Sequence, residues 1–217
     1  MSRETGEFID VWGEASFPVV AAPERFEEFA GVVPDLLLRF WRELGFSGFG
    51  DGALWLCDPV RWQPAVDAWT ADLDLPMGED SWIAVSRTAF GEMHLWGKRT
   101  GMSLTVVPFV GTIVPSDHSA AMATPEERDD QIYAHLLSLD PEAVDVDGDE
   151  EPLFGPVLRE RGPVGPDTMY GFVPVPALGG AMAAERVEIV DAAVHMRLLS
   201  ELTPRVITAD PVARNGS

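Results

Sequence analysis

Residues 40–59, FWRELGFSGFGDGALWLCDP, oblige one element to stop and another to start within a few positions. Leu36, Leu37, Phe40, Trp41 and Leu44 recur at helical spacing, so the pattern predicts a helix over Asp35–Leu44 with one face toward a core. Gly45 closes that helix, because glycine takes left-handed backbone angles without a Cβ penalty. Gly48, Gly50 and Gly52 keep the chain turning. Ala53-Leu54-Trp55-Leu56-Cys57 then has the length and character of a strand, which Asp58-Pro59 ends. The spacing Gly48-x-Gly50-x-x-Ala53 superficially matches a dinucleotide fingerprint, but the order of elements is wrong. Phosphate binding there needs a strand, a glycine turn and then a helix N-terminus, whereas here the helix comes first.

The remaining chain builds outward from that corner. Residues 1–22 read as a loosely ordered lead-in in which Phe8, Ile9, Val11 and Trp12 can pack. A helix starts at Pro23-Glu24, and another carries Trp62, Val66 and Trp69 at i, i+4 and i+7. Short apolar runs at 82–86, 92–96, 104–107 and 112–114, separated by Gly91, Gly97, Gly101 and Gly111, predict an antiparallel meander. A proline-started helix over 125–139 presents Ile132, Leu136 and Leu139. Seven of the twelve residues in 140–151 are then acidic, which reads as a solvated linker. Beyond it come a short helix through Arg161, an aromatic run at 169–172, a strand over 187–190 and a last helix. That helix is capped by Asp191 and striped by Val194, Leu198 and Leu202. The expected class is α+β: helices on one face of a mainly antiparallel sheet, with a smaller α+β C-terminal part. The expected divisions are a lead-in at 1–22, a domain at 23–139, the linker at 140–151, a second domain at 152–202 and a frayed tail at 203–217.

Charge restricts the partners. Thirty-six acidic side chains stand against fifteen basic ones, for a formal net charge of −21, and Lys98 is the sole lysine. Nucleic-acid binding rests on Lys and Arg contacts to phosphate, so a surface this acidic repels it and attracts a basic protein instead. The seven tryptophans lack the positive groove that a single-strand stacking platform requires, and read as core. Cys57 is the only cysteine, which rules out an internal disulfide and fits a reducing cytoplasm. The N-terminus lacks a basic region followed by an apolar run, and the longest uncharged stretches, 101–116 and 168–184, are interrupted by Pro and Gly, so neither export nor membrane insertion is expected.

Catalytic and cofactor chemistry finds little to rest on. His94, His118, His135 and His195 share no ligand spacing, and His94, in a predicted strand, and His195, in a predicted helix, read as structural imidazoles. No nucleophile elbow and no Gly-Lys-Ser/Thr phosphate loop occurs. Lys98 lies in a glycine-flanked turn, without the burial that activates an amine. DVDGDEE resembles the start of a calcium loop, but Glu150 stands where that loop needs glycine and Pro156 where it needs its last ligand. The chain is therefore expected to have no catalytic residue, metal or cofactor. A small-ligand domain, with a pocket near His94 and Trp96, is the rival reading.

The order of several motifs resembles a known family. These are Phe40-Trp41-Arg42-Glu43-x-Gly45-Phe46, Gly52-x-Leu54-Trp55, Asp58-Pro59, and Thr88-Ala89-Phe90-Gly91-Glu92 with Leu95-Trp96. Together they resemble the GAD-like domain of bacterial immunity proteins associated with type VI secretion. Tyr170-Gly171-Phe172-Val173-Pro174, Leu178-Gly179-Gly180 and the final helix are similar to the C-terminal domain that accompanies it. The resemblance implies a non-catalytic antitoxin that binds and neutralises a secreted toxin, a nuclease in several relatives, and an orphan regulator as the alternative. The exposed acids Asp145, Asp147, Asp149, Glu150 and Glu151 are the expected contacts with a basic toxin.

Overall fold

The computed structural model describes residues 1–148 and 151–208. Helices α1 (Arg3–Trp12), α2 (Pro23–Glu28) and α3 (Asp35–Leu44) lead into strands β1 (Gly48–Phe49) and β2 (Leu54–Leu56), joined through a short turn at Gly50–Gly52. Helix α4 (Pro59–Thr70) follows, then the meander of β3 (Trp82–Thr88), β4 (Met93–Gly97), β5 (Gly101–Val107) and β6 (Thr112–Pro115). Helix α5 (Pro125–Ser138) precedes the hairpin of β7 (Asp147–Gly148) and β8 (Glu151–Pro152), then α6 (Phe154–Arg161). Strands β9 (Thr168–Phe172) and β10 (Val187–Asp191), helix α7 (Ala192–Leu202) and β11 (Val206–Ile207) complete the described chain.

The glycine corner behaves as its sequence dictates. Gly45 takes φ 69°, donates its N–H to Trp41 O at 3.0 Å and ends α3. The turn beyond it is tighter than expected, because Gly48–Phe49 pairs with Leu54–Trp55 as a two-residue hairpin arm. Residues 13–22 are strapped across this corner. Phe17 and Gly48 exchange backbone hydrogen bonds, Phe46 N donates to Val19 O at 2.8 Å, and Val19 N donates to Ser47 Oγ at 2.9 Å. The lead-in is thus ordered, with Phe8 and Trp12 buried and Trp12 Nε1 bonded to Leu139 O. An amphipathic pattern of only ten residues is marginal alone, and these tertiary contacts stabilise it.

Seven strands run in the order β1-β2-β3-β4-β5-β6-β11, antiparallel except where β11 joins β6 in parallel. The α+β class and mainly antiparallel sheet stand as expected, but helices cover both faces. Helices α1, α3 and α5 bury Phe8, Leu37, Trp41, Ile132 and Leu136 against Leu54, Val85 and Trp96. On the opposite face α4 and α7 bury Trp69, Val66, Met196 and Leu199 against Ala84, Met93, Leu95 and Val106. Every residue of β4 is buried, the mark of a strand packed on both sides. A third cluster, with Phe90, Tyr170, Phe172 and Val157, joins the sheet end to α6 and β9. Beyond Thr203 the chain is no frayed tail up to Thr208, since β11 extends the sheet edge.

The indole N–H groups are largely satisfied. Trp12, Trp55, Trp69 and Trp82 donate to Leu139 O, Gly52 O, Met196 O and Ser103 Oγ, whereas Trp41 and Trp96 find no acceptor among the described residues.

Candidate functional site

Helices α4 and α7 lie side by side on one face of the sheet, and a groove of about 690 Å³ runs between them. Asp58 caps α4 by accepting from Val60 N at 3.0 Å, and Pro59 supplies its first turn. Asp191 caps α7 by accepting from Val194 N at 2.9 Å. Trp69 Nε1 donates to Met196 O at 3.1 Å, and Arg205 donates to Ala71 O at 2.6 Å, so the helix ends are locked together. The groove floor is made of small residues, Ala65, Ala68, Ala192 and Ala193, which let another chain approach closely. Its charged rim is already paired: Arg61 meets Asp167, and Arg197 donates to Glu201 at 3.1 Å.

The predicted stripe on α7 faces outward. Val194, Leu198 and Leu202 are 60%, 45% and 56% exposed, while Ala192, Met196 and Leu199 fill the core. Val60 on α4 is exposed as well. On a chain this acidic, clustered exposed aliphatic residues beside a groove mark a surface with somewhere to dock.

A second feature lies against the groove wall. Arg87 of β3 is fully buried, with its Cζ 5.0 Å from the Trp55 ring and 4.9 Å from the Trp62 ring. It donates to Thr88 O, Gly165 O and Thr168 O, while its Nε finds no acceptor among the described residues. Burial lowers its pKa to about 10. The same burial pushes the neighbouring Cys57 thiol up to about 12, so that thiol is inert.

Two histidines separated in sequence meet in space. Ser86 Oγ lies 3.0 Å from His94 Nδ1 and 3.2 Å from His135 Nε2, and His94 Nε2 lies 3.0 Å from Glu92 Oε1. The two rings are 4.9 Å apart. Ser86 and His94 face each other because β3 and β4 pair in that register after an irregularity between Ala84 and Ser86. The connectivity is that of a hydroxyl, base and acid, but Ser86 is fully buried and lines neither the groove nor the cavity beside Arg87. Burial, reinforced by His94, holds the His135 pKa well below its ordinary 6.5. The cluster ties α5 to the sheet through hydrogen-bonded polar groups, of which Ser86 and His94 are buried.

The acidic segment divides on closer inspection. Asp145 Oδ1 accepts from Val146 N, Leu153 N and Phe154 N at 2.7, 3.1 and 2.7 Å, so it caps the hairpin and the start of α6. Asp147 and Glu151 belong to the β7–β8 hairpin, and Glu151 is exposed. Asp149 and Glu150 lie outside the described residues. Val144 and Val146 are buried, so the first half of the stretch packs rather than floats. Neither Asp145 nor Glu151 lines the groove. Among the described residues, no group of three or more His, Cys, Asp or Glu side chains is placed to hold a metal. Nor is any described helix long and apolar enough to cross a membrane.

Residues 4–109 match the GAD-like domain, and residues 130–203 match the T6SS immunity protein Tdi1, C-terminal. Among solved structures, the crystal structure of Atu4351 from Agrobacterium tumefaciens aligns with a TM-score of 0.81 at 18% identity. The alignment covers 97% of this chain and 93% of that one, so the two share a fold. No match is found among curated proteins. Helix α4 belongs to the first matched segment and α7 to the second, so the groove exists only where both are joined. The motif residues of the expected resemblance are framework: Trp41, Phe46, Trp55, Phe90, Trp96 and Tyr170 are buried. Gly91, at φ 82°, packs against Met169 from the second segment.

Proposed function

We propose that this chain, which carries a GAD-like domain followed by a region matched to the C-terminal part of the T6SS immunity protein Tdi1, is a non-catalytic immunity protein. It binds a bacterial secreted toxin in the cytoplasm and neutralises it by occupying its surface. The match to an immunity protein supports the role. The observation that carries the reading further is the outward stripe of Val194, Leu198 and Leu202 beside the α4–α7 groove, within the residues matched to Tdi1.

Division of labour follows from the physics. A net charge of −21 steers a basic partner and repels nucleic acid, which suits a toxin that must itself present cations to phosphate, such as a nuclease. Steering sets the association rate; a desolvated apolar anchor sets residence time. The exposed Glu151 of the β7–β8 hairpin contributes to the first, and the α7 stripe supplies the second.

The test pairs the chain with the secreted toxin encoded beside it. Co-expression is expected to restore growth, and the two proteins to elute as one complex. Leu198→Glu and Val194→Glu are expected to abolish both while leaving the circular dichroism spectrum unchanged. Rescue unaffected by both substitutions would place the contact elsewhere, and failure of the parent chain to rescue would refute the immunity role. A gene with no toxin neighbour would favour the orphan-regulator alternative.

A further inference from the structure

The direction of each hydrogen bond joining Glu92, His94, Ser86 and His135 follows from the acid end. A carboxylate only accepts, so Glu92 Oε1, 3.0 Å from His94 Nε2, requires a proton on that nitrogen. A neutral His94 then has a bare Nδ1, which accepts from the Ser86 hydroxyl at 3.0 Å. Ser86 Oγ, its own proton engaged, accepts from His135 Nε2 at 3.2 Å. Donors and acceptors are matched along one line.

One added proton leaves that line intact with its two serine bonds reversed. Taken up on His135 Nδ1, it lets His135 Nε2 pass its proton to Ser86 Oγ while Ser86 passes its own to His94 Nδ1. His135 ends neutral with its hydrogen on Nδ1, Ser86 ends as a hydroxyl donating to His135 Nε2, and the charge ends on His94 beside Glu92. His135 is partly exposed whereas Ser86 and His94 are buried, so the proton enters at the α5 end. A second proton has no such arrangement. With both rings cationic, the hydroxyl proton of Ser86 loses its acceptor, and two positive charges stand with ring centres 4.9 Å apart. Burial first, and His94 second, hold His135 well below its ordinary 6.5. Among the described residues, Glu92 is the carboxylate bonded to the pair, and the other neighbours carry no charge. These are Thr105 on β5 opposite His94, Leu56 on β2 opposite Ser86, Ile132 and Leu136 on α5, and Phe8 and Leu37 from α1 and α3.

We infer that Glu92, His94, Ser86 and His135 form a one-proton relay, a switch that clasps α5 to the sheet in either of two polarities and opens only when a second proton is forced onto it. Glu92, His94 and Ser86 belong to the segment matched to the GAD-like domain and His135 to the one matched to Tdi1, so the clasp joins the two. It does not rest on the immunity reading.

Nitrogen NMR of isotope-labelled histidine rings in the full chain, followed from about pH 8 to about pH 5, reads the tautomers directly. His118→Gln and His195→Gln, both outside the cluster, identify the other two rings. At the start His94 and His135 are each expected to carry their proton on Nε2. On acidification both rings are expected to change at one shared midpoint, His94 becoming the imidazolium while His135 stays neutral and exchanges Nε2–H for Nδ1–H. Ser86→Ala is expected to abolish that exchange. If Ser86→Ala fails to fold, Glu92→Gln decides: it keeps an acceptor but removes the charge, and is expected to move the shared midpoint about one pH unit lower with the exchange retained. Amide exchange across α5 is expected to be equal on both sides of the first midpoint and to rise about tenfold or more once His135 itself is cationic. His135 holding Nε2–H throughout, two separate midpoints, or no transition before the chain unfolds overturns the relay. An unmoved midpoint in Glu92→Gln does the same, and faster α5 exchange at the first midpoint overturns the clasp.

Discussion

A methyl group added at Gly45 would run into the carbonyl oxygen of Val19, the atom that accepts from Phe46 N, and would sit on a backbone at φ 69°. Gly13 has a similar φ of 76° but open space around it. Gly13→Ala is therefore expected to cost about 1 kcal/mol from conformation alone, and Gly45→Ala roughly 3 kcal/mol because the strap must move. Urea denaturation of the two variants separates strain from collision. Sequence showed that Gly45 ends a helix, but could not show the strap that lies over it. Asp145 teaches the same lesson among the acids. Its oxygen serves N–H groups one, eight and nine residues ahead, so Asp145→Ala is expected to lose about 1–2 kcal/mol of stability. Glu151→Ala, at an exposed position, is expected to stay within about 0.5 kcal/mol and to slow toxin association at low salt. Composition marked the block as acidic; only the folded contacts tell a capping carboxylate from a free one.

Helix α7 shows how an element can be read correctly while the side it turns to the core stays open. Its spacing gives two apolar rows, one through Val194, Leu198 and Leu202 and one through Ala192, Met196 and Leu199. Periodicity alone does not say which row meets the sheet. The structure buries the second, because Met196 supplies the carbonyl for Trp69 and its side chain fills the space beside Gly91. Met196→Ala is accordingly expected to cost 2–5 kcal/mol, about the range for truncating a fully buried side chain, while Leu198→Ala stays near neutral. Thermal unfolding of both variants checks the assignment. Similar losses for the two would mean that the outward row is covered in the free protein. Helix α3 was legible throughout, yet its N-terminus is capped from α5, where Asp129 accepts from Leu36 N at 2.9 Å. No spacing rule reaches across 93 residues.

For the molecule as a whole, burial of histidines makes stability depend on pH. Burial lowers the pKa of His135 and of His195 below the ordinary 6.5. The unfolded chain thus takes up protons that the folded chain refuses as pH falls below about 6.5, and stability falls with it. Above that pH neither group contributes a slope. Each histidine accounts for at most about 1.4 kcal/mol per pH unit, so urea midpoints measured between roughly pH 7.5 and pH 5.5 are expected to drop on acidification. His135→Gln is expected to shallow the drop, leaving the share due to His195; an unchanged slope would show that His135 is not held neutral. From its sequence the chain determined the succession of its main helices and meander strands, the glycine corners, the α+β class and its net acidity. These rest on local backbone preference, on periodicity within a segment and on a sum over residues. Tertiary structure alone decided that both sheet faces are covered, that Ser86, His94 and His135 converge, and that Arg87 lies between two tryptophans with no paired carboxylate among the described residues. It also decided that α7 turns an apolar row to solvent. Each of these depends on strand register or on contacts between distant segments, and a repeating pattern fixes which residues share a face without fixing what that face meets.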